Sequence, residues 1–412
     1  MLQRASPAKR LLLLVRSPQH AWSAVAGASR PIRFTLAAVF VLDVFTTVIV
    51  AAYGNSYLVK TLDAPPSYPA FSLATYGFVK LLTAPAGGWL TDHTRPSFSL
   101  TLAGGLQVLG VGVMLAERTP EAFVVGTGVL AAGTTLLWLL VFEALSANLA
   151  ADERGAATAS LGIVSVVSIG FGFGVAAVLA ETTPELVFTL GLGLGAASAA
   201  LLLPAFPRSD ATAREAVEEP RLAGGWRPAR PEAMAIAIAF GHFLCVNATI
   251  AALSPLALRR LDLTLLQLGV ALAPAAAAGG LAMLVLGRRS REGRRMREMA
   301  PLYALGATGL ALAAFVSEWA AFAAAMVAVG VTLGGSMPLL NASRIDLSAQ
   351  TTAPGRILGR ILFAEGLGSV VGPVAAGLVI AAADERAGAV TAGLSFAALA
   401  ALTAYTARTV RL

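Results

Sequence analysis

The chain has 412 residues, of which 57% are hydrophobic and only 13% are charged, and its mean hydropathy is +0.75. Soluble domains of this length do not have such a composition, so it predicts a membrane protein that crosses the bilayer many times. The net charge of +7 would also suit a nucleic-acid-binding protein. However, most Lys and Arg lie in loops that alternate onto one side, as the positive-inside rule describes. We therefore expect no nucleic-acid partner, and both termini on the cytoplasmic face of the cell membrane.

Twelve apolar stretches account for most of the chain, and each is about long enough to cross a hydrocarbon core, which takes roughly 20 helical residues. Backbone polar groups must be bonded internally in lipid, so each stretch is predicted to be a helix. We number them segments 1 to 12, at 33–59, 67–90, 97–116, 122–149, 157–180, 184–205, 233–257, 264–287, 299–316, 319–342, 358–380 and 387–407.

The segments form two sets of six around a charged stretch, which predicts two halves and three polar parts. The parts are a cytoplasmic basic arm, a first half, a cytoplasmic linker, a second half and a tail, at 1–32, 33–205, 206–231, 232–407 and 408–412. The arm suits either a solvated segment or a helix resting on anionic lipid. A shift of 200 residues superposes Gly172 on Gly372. We therefore predict an all-α membrane protein of two pseudo-symmetric six-helix halves.

The turn after segment 2 carries a motif that is repeated after segment 8. It reads Gly88-Trp89-Leu90-Thr91-Asp92-His93-Thr94-Arg95, and its echo reads Ser290-Arg291-Glu292-Gly293-Arg294-Arg295. Glycine allows two helices to approach closely, and an Asp at a helix end beside Arg residues can hold one arrangement of the helices. We predict a cytoplasmic gate in which Asp92 binds Arg356 or Arg360. Its residues are Gly88, Asp92, Arg95, Arg291, Arg294, Arg356 and Arg360.

Glycines in segments 5 and 11 indicate close helix packing, and a proline in segment 11 indicates a hinge. These residues are Gly170, Gly172, Gly174, Gly368, Gly372, Pro373 and Gly377. Together with the turn motif and the twelve spans, they make residues 32–407 resemble the major facilitator superfamily. That resemblance implies secondary transport by rocking two halves about a site near the bilayer midplane. Many proton-coupled exporters of that family carry an Arg near 126–130, where this chain has none.

Polar and charged residues within the spans are candidates for the pathway of substrate or protons, because burying them in a bilayer is costly. They are Asp43, Lys80, Glu143, His242, Asn247, Asn341, Arg344 and Glu365. Helical rise places Asp43 and Lys80 at similar depths, about 15 and 18 Å from one surface. An ion pair between them is expected, either static or linked to transport, unless the two helices keep them apart.

Two further positions leave alternatives open. Pseudo-symmetry makes His242 equivalent to Asp43, so it is either a hydrogen-bonded core residue or a contact for substrate or protons. Arg344 suits Glu143 or Glu365 as a partner, and this pair would be either an inner gate or a static tie.

No motif for an ATP-driven engine, a hydrolase or a metal centre is present in the sequence, so we expect no enzyme activity, no cofactor and no metal. Few polar residues line the spans, which favours export of a small hydrophobic or amphiphilic molecule by a lipid-embedded monomer, with protons as a candidate coupling ion. One alternative is uptake or exchange of a small organic anion that binds Lys80, His242 and Arg344. Another is a receptor or lipid-handling protein that keeps the fold without transport.

Overall fold

The computed structural model describes most of the chain, with gaps at both ends and in several connections. The described residues are 29–52, 62, 68–149, 153, 157–158, 160–165, 167–168, 171–172, 175, 184–206, 230–263, 265–291, 294–349 and 354–409. The predicted basic arm up to residue 28, the linker at 207–229, Gly170 and Gly174 lie outside them.

Eleven of the twelve segments form continuous helices, and the described residues contain no strand. They are Arg30–Thr46, Tyr68–His93, Pro96–Ala116, Pro120–Asn148, Pro184–Leu202, Arg230–Pro255, Leu265–Arg289, Arg295–Phe315, Trp319–Ala349, Pro354–Ala382 and Glu385–Thr409. Segments 1 and 7 continue as π-helices at Thr47–Ala52 and Leu256–Arg260, and segment 6 ends in a 3₁₀-helix at Leu203–Ala205. The described part of segment 5 is also helical.

Ten of the described helices are long and apolar enough to cross a membrane. Segment 2 is a further helix of 26 residues, which at helical rise measures about 39 Å. Segment 5 is described only in part. The predicted all-α fold is confirmed, and twelve spans agree with it.

Proline begins several of these helices, at Pro96, Pro120, Pro184 and Pro354. The first helical residue needs no intrahelical N–H partner, so proline is well suited to this position. Thr119 reinforces one of these starts, because its hydroxyl accepts a hydrogen bond from the backbone N–H of Ala122 at 3.1 Å. Local sequence thus fixes where the spans begin.

The two halves pack in the same pattern. In the first half, segments 1 and 6, 2 and 4, 3 and 4, and 3 and 6 are in contact. Adding six to each number gives the pairs 7 and 12, 8 and 10, 9 and 10, and 9 and 12, which also pack together. Each half has its own buried apolar core, and segments 2 and 11 make the most extensive contact between the halves.

The repeat of 200 residues is visible in atomic contacts. A Cβ on Gly172 would lie 3.3 Å from the carbonyl oxygen of Val44, and one on Gly372 would meet the carbonyl oxygen of Leu244. Both the glycine and its partner are thus shifted by the same number of residues. The packing role predicted for Gly372 is supported by this contact, and Gly368 similarly meets Phe240. Gly377 is different, because a Cβ there would enter open space, so the prediction that it packs two helices is wrong. Pro373 lies inside the segment 11 helix.

Candidate functional site

A cavity of about 610 Å³ lies between the two halves. Asp43, Lys80, Trp138 and Phe142 line it from the first half, while Phe243, Asn341, Arg344 and Glu365 are among its residues from the second half. Cavities of this size bind small organic molecules in many proteins. We call the end of the bundle that holds Asp92 and Gly355 the Asp92 end.

The halves touch at the Asp92 end, beyond the polar part of the cavity. A Cβ on Gly162 of segment 5 would meet the sulphur of Met283 in segment 8. The hydroxyl of Thr158 donates a hydrogen bond to the carbonyl oxygen of Pro338 at 3.1 Å, which joins segments 5 and 10. The cavity is therefore closed toward this end.

Glu365 is the centre of the ion cluster in the cavity. Its Oε1 lies 2.6 Å from Nη2 of Arg344, and its Oε2 lies 3.4 Å from Nζ of Lys80. Arg344 and Glu365 belong to the second half, whereas Lys80 belongs to the first. The cluster therefore joins the two halves, and Glu365 is the partner of Arg344 from the two that the sequence left open.

Asn341 and two aromatic rings hold the cations of this cluster. Nη1 of Arg344 donates a 2.8 Å hydrogen bond to Oδ1 of Asn341, one helical turn away. The guanidinium carbon lies 5.6 Å from the ring centre of Phe142 and 5.7 Å from that of Phe243. Nζ of Lys80 lies 5.2 Å from the same ring of Phe243. Such cation–π contacts favour keeping both charges on this side of the cavity.

The predicted ion pair between Asp43 and Lys80 is wrong, because Lys80 binds Glu365 instead. Asp43 accepts a hydrogen bond from the hydroxyl of Ser168 at 3.4 Å, which ties segment 1 to segment 5. Both residues line the cavity. Equal depth was not enough to pair them, since segment 2 packs on segment 11 and directs Lys80 toward Glu365.

His242 is a core residue, which answers the alternative that the sequence left open. It is 1% exposed, its Nδ1 lies 3.2 Å from the hydroxyl of Tyr303, and it does not line the cavity. The repeat of 200 residues makes Phe243, not His242, the equivalent of Asp43. One residue rotates a side chain by about 100° around a helix, so the neighbour faces the cavity and His242 does not.

The other two polar candidates lie beside the cavity lining. Asn247 donates hydrogen bonds to the carbonyl oxygen of Phe243 at 2.8 Å and to the hydroxyl of Ser369 at 3.3 Å. It therefore joins segments 7 and 11 within the second half. Glu143 is buried next to Phe142 in segment 4.

Asp92 caps the start of segment 11 from the other half. Its Oδ1 and Oδ2 each accept a 2.8 Å hydrogen bond, from the backbone N–H groups of Gly355 and Arg356. A helix N-terminus carries free N–H groups and partial positive charge, so a carboxylate fits there well. Gly88 permits the approach, because a Cβ there would collide with the carbonyl oxygen of Gly355.

The side-chain partners predicted for this gate need correction. Arg356 meets Asp92 through its backbone, and Arg360 pairs with Glu232 of segment 7 at 2.7 Å. Arg95, Arg291 and Arg294 are exposed. Neighbours in sequence thus place positive charge at the Asp92 end without entering the contact between segments 2 and 11.

Sequence reasoning missed Arg295 as a site residue, although it ends the second copy of the turn motif. Arg295 is 1% exposed, forms an ion pair with Asp346 of segment 10, and donates a 2.9 Å hydrogen bond from Nε to the hydroxyl of Ser290. It also missed Phe142 and Phe243. The repeat could have identified Phe243, as the residue 200 positions after Asp43.

Comparison with known proteins supports the fold and the family. The family model described as Major Facilitator Superfamily matches residues 35–373. No curated protein matches the chain significantly. The human organic anion transporter MFSD10 has a similar structure, with a TM-score of 0.74 and 15% identity over 91% of this chain and 100% of that one.

Two bacterial transporter structures are similar as well. A bacterial homologue of the iron transporter ferroportin, in an outward-facing state, has a TM-score of 0.75 and 13% identity over 92% of this chain and 99% of that one. The E. coli fucose:proton symporter has a TM-score of 0.66 and 13% identity over 91% and 98%. Identities this low show the shared fold and carry no substrate to this chain. The family match covers most of the sequence and supports membrane transport as the activity, so the chain belongs to the Major Facilitator Superfamily.

Proposed function

We propose that the protein is a secondary transporter that exports a small amphiphilic molecule through the cavity between its halves, as a monomer. The observation that carries this proposal is that both halves line one cavity, and that contacts between the halves close it at the Asp92 end. Opening those contacts while closing the opposite end would move a bound molecule across the membrane.

The lining of the cavity supports an amphiphile as the substrate. Leu161, Leu272, Met326, Val329 and Leu333 give it a largely apolar wall, while Lys80, Arg344 and Glu365 provide one polar region. An apolar body buried against such a wall contributes about 25 cal/mol per Å² of area removed from water. The polar region would orient the head group of the molecule.

The direction of transport depends on the orientation of the chain. The positive-inside rule favours the Asp92 end as cytoplasmic, because Arg95, Arg291, Arg294 and Arg356 are all exposed there. A cysteine at Arg95 should then react with a membrane-impermeant reagent only from the cytoplasmic side, and one at Thr119 only from outside. Cys245 is buried, so it should give little background. The opposite labelling would reverse the orientation.

Flux in liposomes tests transport itself. Purified protein would be reconstituted with an imposed pH gradient, and a panel of amphiphilic compounds would be followed with a pH-sensitive dye inside the vesicles. We expect saturable flux of at least one compound, and proton movement if Asp43 or Glu365 carries the coupling proton. Protein with Arg344→Met and Glu365→Met together serves as a matched negative control. Saturable binding with no flux of any compound would instead indicate a receptor that keeps the fold.

A further inference from the structure

We propose that the head group of the transported molecule is an anion, and that it binds Lys80 and Arg344 by taking the place of Glu365. The inference rests on the proposed function and assigns the chemical class of the substrate. Its starting point is the excess of positive charge in the ion cluster, where two cations share one carboxylate. An uncompensated charge is costly in a membrane interior, so a monoanion would balance this cluster.

Asp43 does not supply the missing charge at this place. It is the other acid lining the cavity, but it binds Ser168 and forms no ion pair with Lys80. A cationic substrate would favour Asp43, which makes the sign of the preferred head group a direct test of the proposal.

Arg344 has hydrogen-bond donors that no described protein group accepts. Only its Nη1 is hydrogen bonded, to Asn341, while Nε and Nη2 are buried without a hydrogen-bond partner among the described residues. Nη2 is close to Glu365, yet the contact does not have the alignment of a hydrogen bond. The Nε and Nη2 edge of a guanidinium is the one that accepts a carboxylate through two parallel hydrogen bonds. A substrate carboxylate could make both.

Glu365 now covers this edge, so the substrate must exchange with it. Lys80 is the point at which exchange can begin, because its side chain is 17% exposed and its 3.4 Å contact with Glu365 is long for an ion pair. Arg344 is 4% exposed and would be reached second. Phe243 contacts both cations and would hold them in place while the carboxylates exchange. Glu365 therefore acts as an internal competitor for the anion.

Calorimetric binding to the full chain in lipid nanodiscs would test this inference. The probes are naphthoate, naphthamide and naphthylmethylammonium, which share one ring system and differ in the charge of the head group. We expect naphthoate to bind at least about tenfold more tightly than naphthamide, given the strength of hydrogen bonds between charged groups. The ammonium should bind most weakly. Equal affinities, no naphthoate binding, or a preference for the ammonium would overturn the proposal.

Variants separate exchange from simple attraction. Glu365→Gln should raise the affinity for naphthoate about tenfold and leave that for naphthamide unchanged, because it removes the competitor. Lys80→Met should reduce the preference for naphthoate severalfold, and Lys80→Arg should retain it. Arg386→Met, which removes an exposed cation remote from the cavity lining, is the matched control and should change nothing. Unchanged naphthoate affinity in Glu365→Gln would rule out exchange.

Binding and flux are measured separately, so the two proposals can fail independently. Naphthoate preference without flux of any compound would reject transport and retain the anion site. Flux of neutral or cationic compounds without naphthoate preference would reject the anion site and retain transport.

Discussion

Contacts within a half differ from contacts between the halves. Within the second half, Arg344 binds Glu365 at 2.6 Å, Arg360 binds Glu232 at 2.7 Å, and Arg295 is buried against Asp346. Between the halves, Lys80 reaches the same Glu365 only at 3.4 Å. Ion pairs that only hold a half together can be short and enclosed, whereas a contact that must break in every cycle needs a small separation energy. We therefore expect charge pairs within a half to govern folding, and those between halves to govern the conformational balance.

The largest expected effect concerns the pair within the second half that is remote from the cavity. Arg295→Met leaves Asp346 in an enclosed site, and breaking such a pair costs about 3–5 kcal/mol of the free energy of unfolding. Arg295→Met with Asp346→Leu should recover most of this stability and also keep flux, because neither residue lines the cavity. Unfolding in mixed micelles and flux in liposomes would measure both quantities. A double variant no more stable than the single one would contradict this.

Gly88 offers a test between the halves. Gly88→Ala places a methyl group against the carbonyl oxygen of Gly355, and overpacking of this kind costs about 1–3 kcal/mol. The cost applies only when the Asp92 end is closed, so the population should shift toward the open arrangement. Distances between spin labels across that end would report the shift. Gly377→Ala is the matched control in segment 11, because it meets open space. Equal distances in all three proteins would mean that the crossing does not limit closure.

Replacing Asp92 should move the same equilibrium by less. Asp92→Ala removes both acceptors at the start of segment 11, and the loss of a helix cap costs about 0.5–2 kcal/mol. Asp92→Asn keeps one acceptor oxygen and should have a smaller effect. Both variants should favour the arrangement open at the Asp92 end, slow turnover and fold normally. If the spin-label distances and flux stay unchanged, Asp92 only caps the helix and does not gate.

The smallest expected effect is the coupling between Lys80 and Glu365. A partly exposed pair at this separation contributes about 1 kcal/mol or less, and a double-mutant cycle isolates that contribution. The cycle would use Lys80→Met and Glu365→Gln, with unfolding as the readout. The matched cycle with Arg344→Met should give the larger coupling. Equal couplings would remove the distinction between the two kinds of contact.

Sequence patterns predicted the helices and the family, because apolar length and turn motifs are local properties. They failed where the rotation of a helix decides a contact. Asp43 and Lys80 have similar depths, yet only the packing of segment 2 on segment 11 shows that Lys80 faces Glu365. His242 and Phe243 differ by one position, and the neighbour alone lines the cavity.

Backbone partners were a second source of error. Counting charged residues near Asp92 suggested Arg356 and Arg360 as side-chain partners, but backbone N–H groups bind its carboxylate. Such groups are present at every residue, so composition does not mark them. Pro354 and Gly355, which begin the segment 11 helix, were the available signal of a helix start with free donors.

The glycine crossing of segments 2 and 11 also bears on the speed of the conformational change. Gly88, Gly355 and Gly359 bring backbone against backbone there, and a Cβ on Gly88 would lie 3.1 Å from the Cα of Gly359. Helices that interlock through long side chains must change rotamers before they separate, whereas this crossing has none to change. The activation barrier at the Asp92 end should then come mainly from rehydrating the amides that Asp92 binds. Turnover would accordingly respond to water activity more than to the size of nearby side chains.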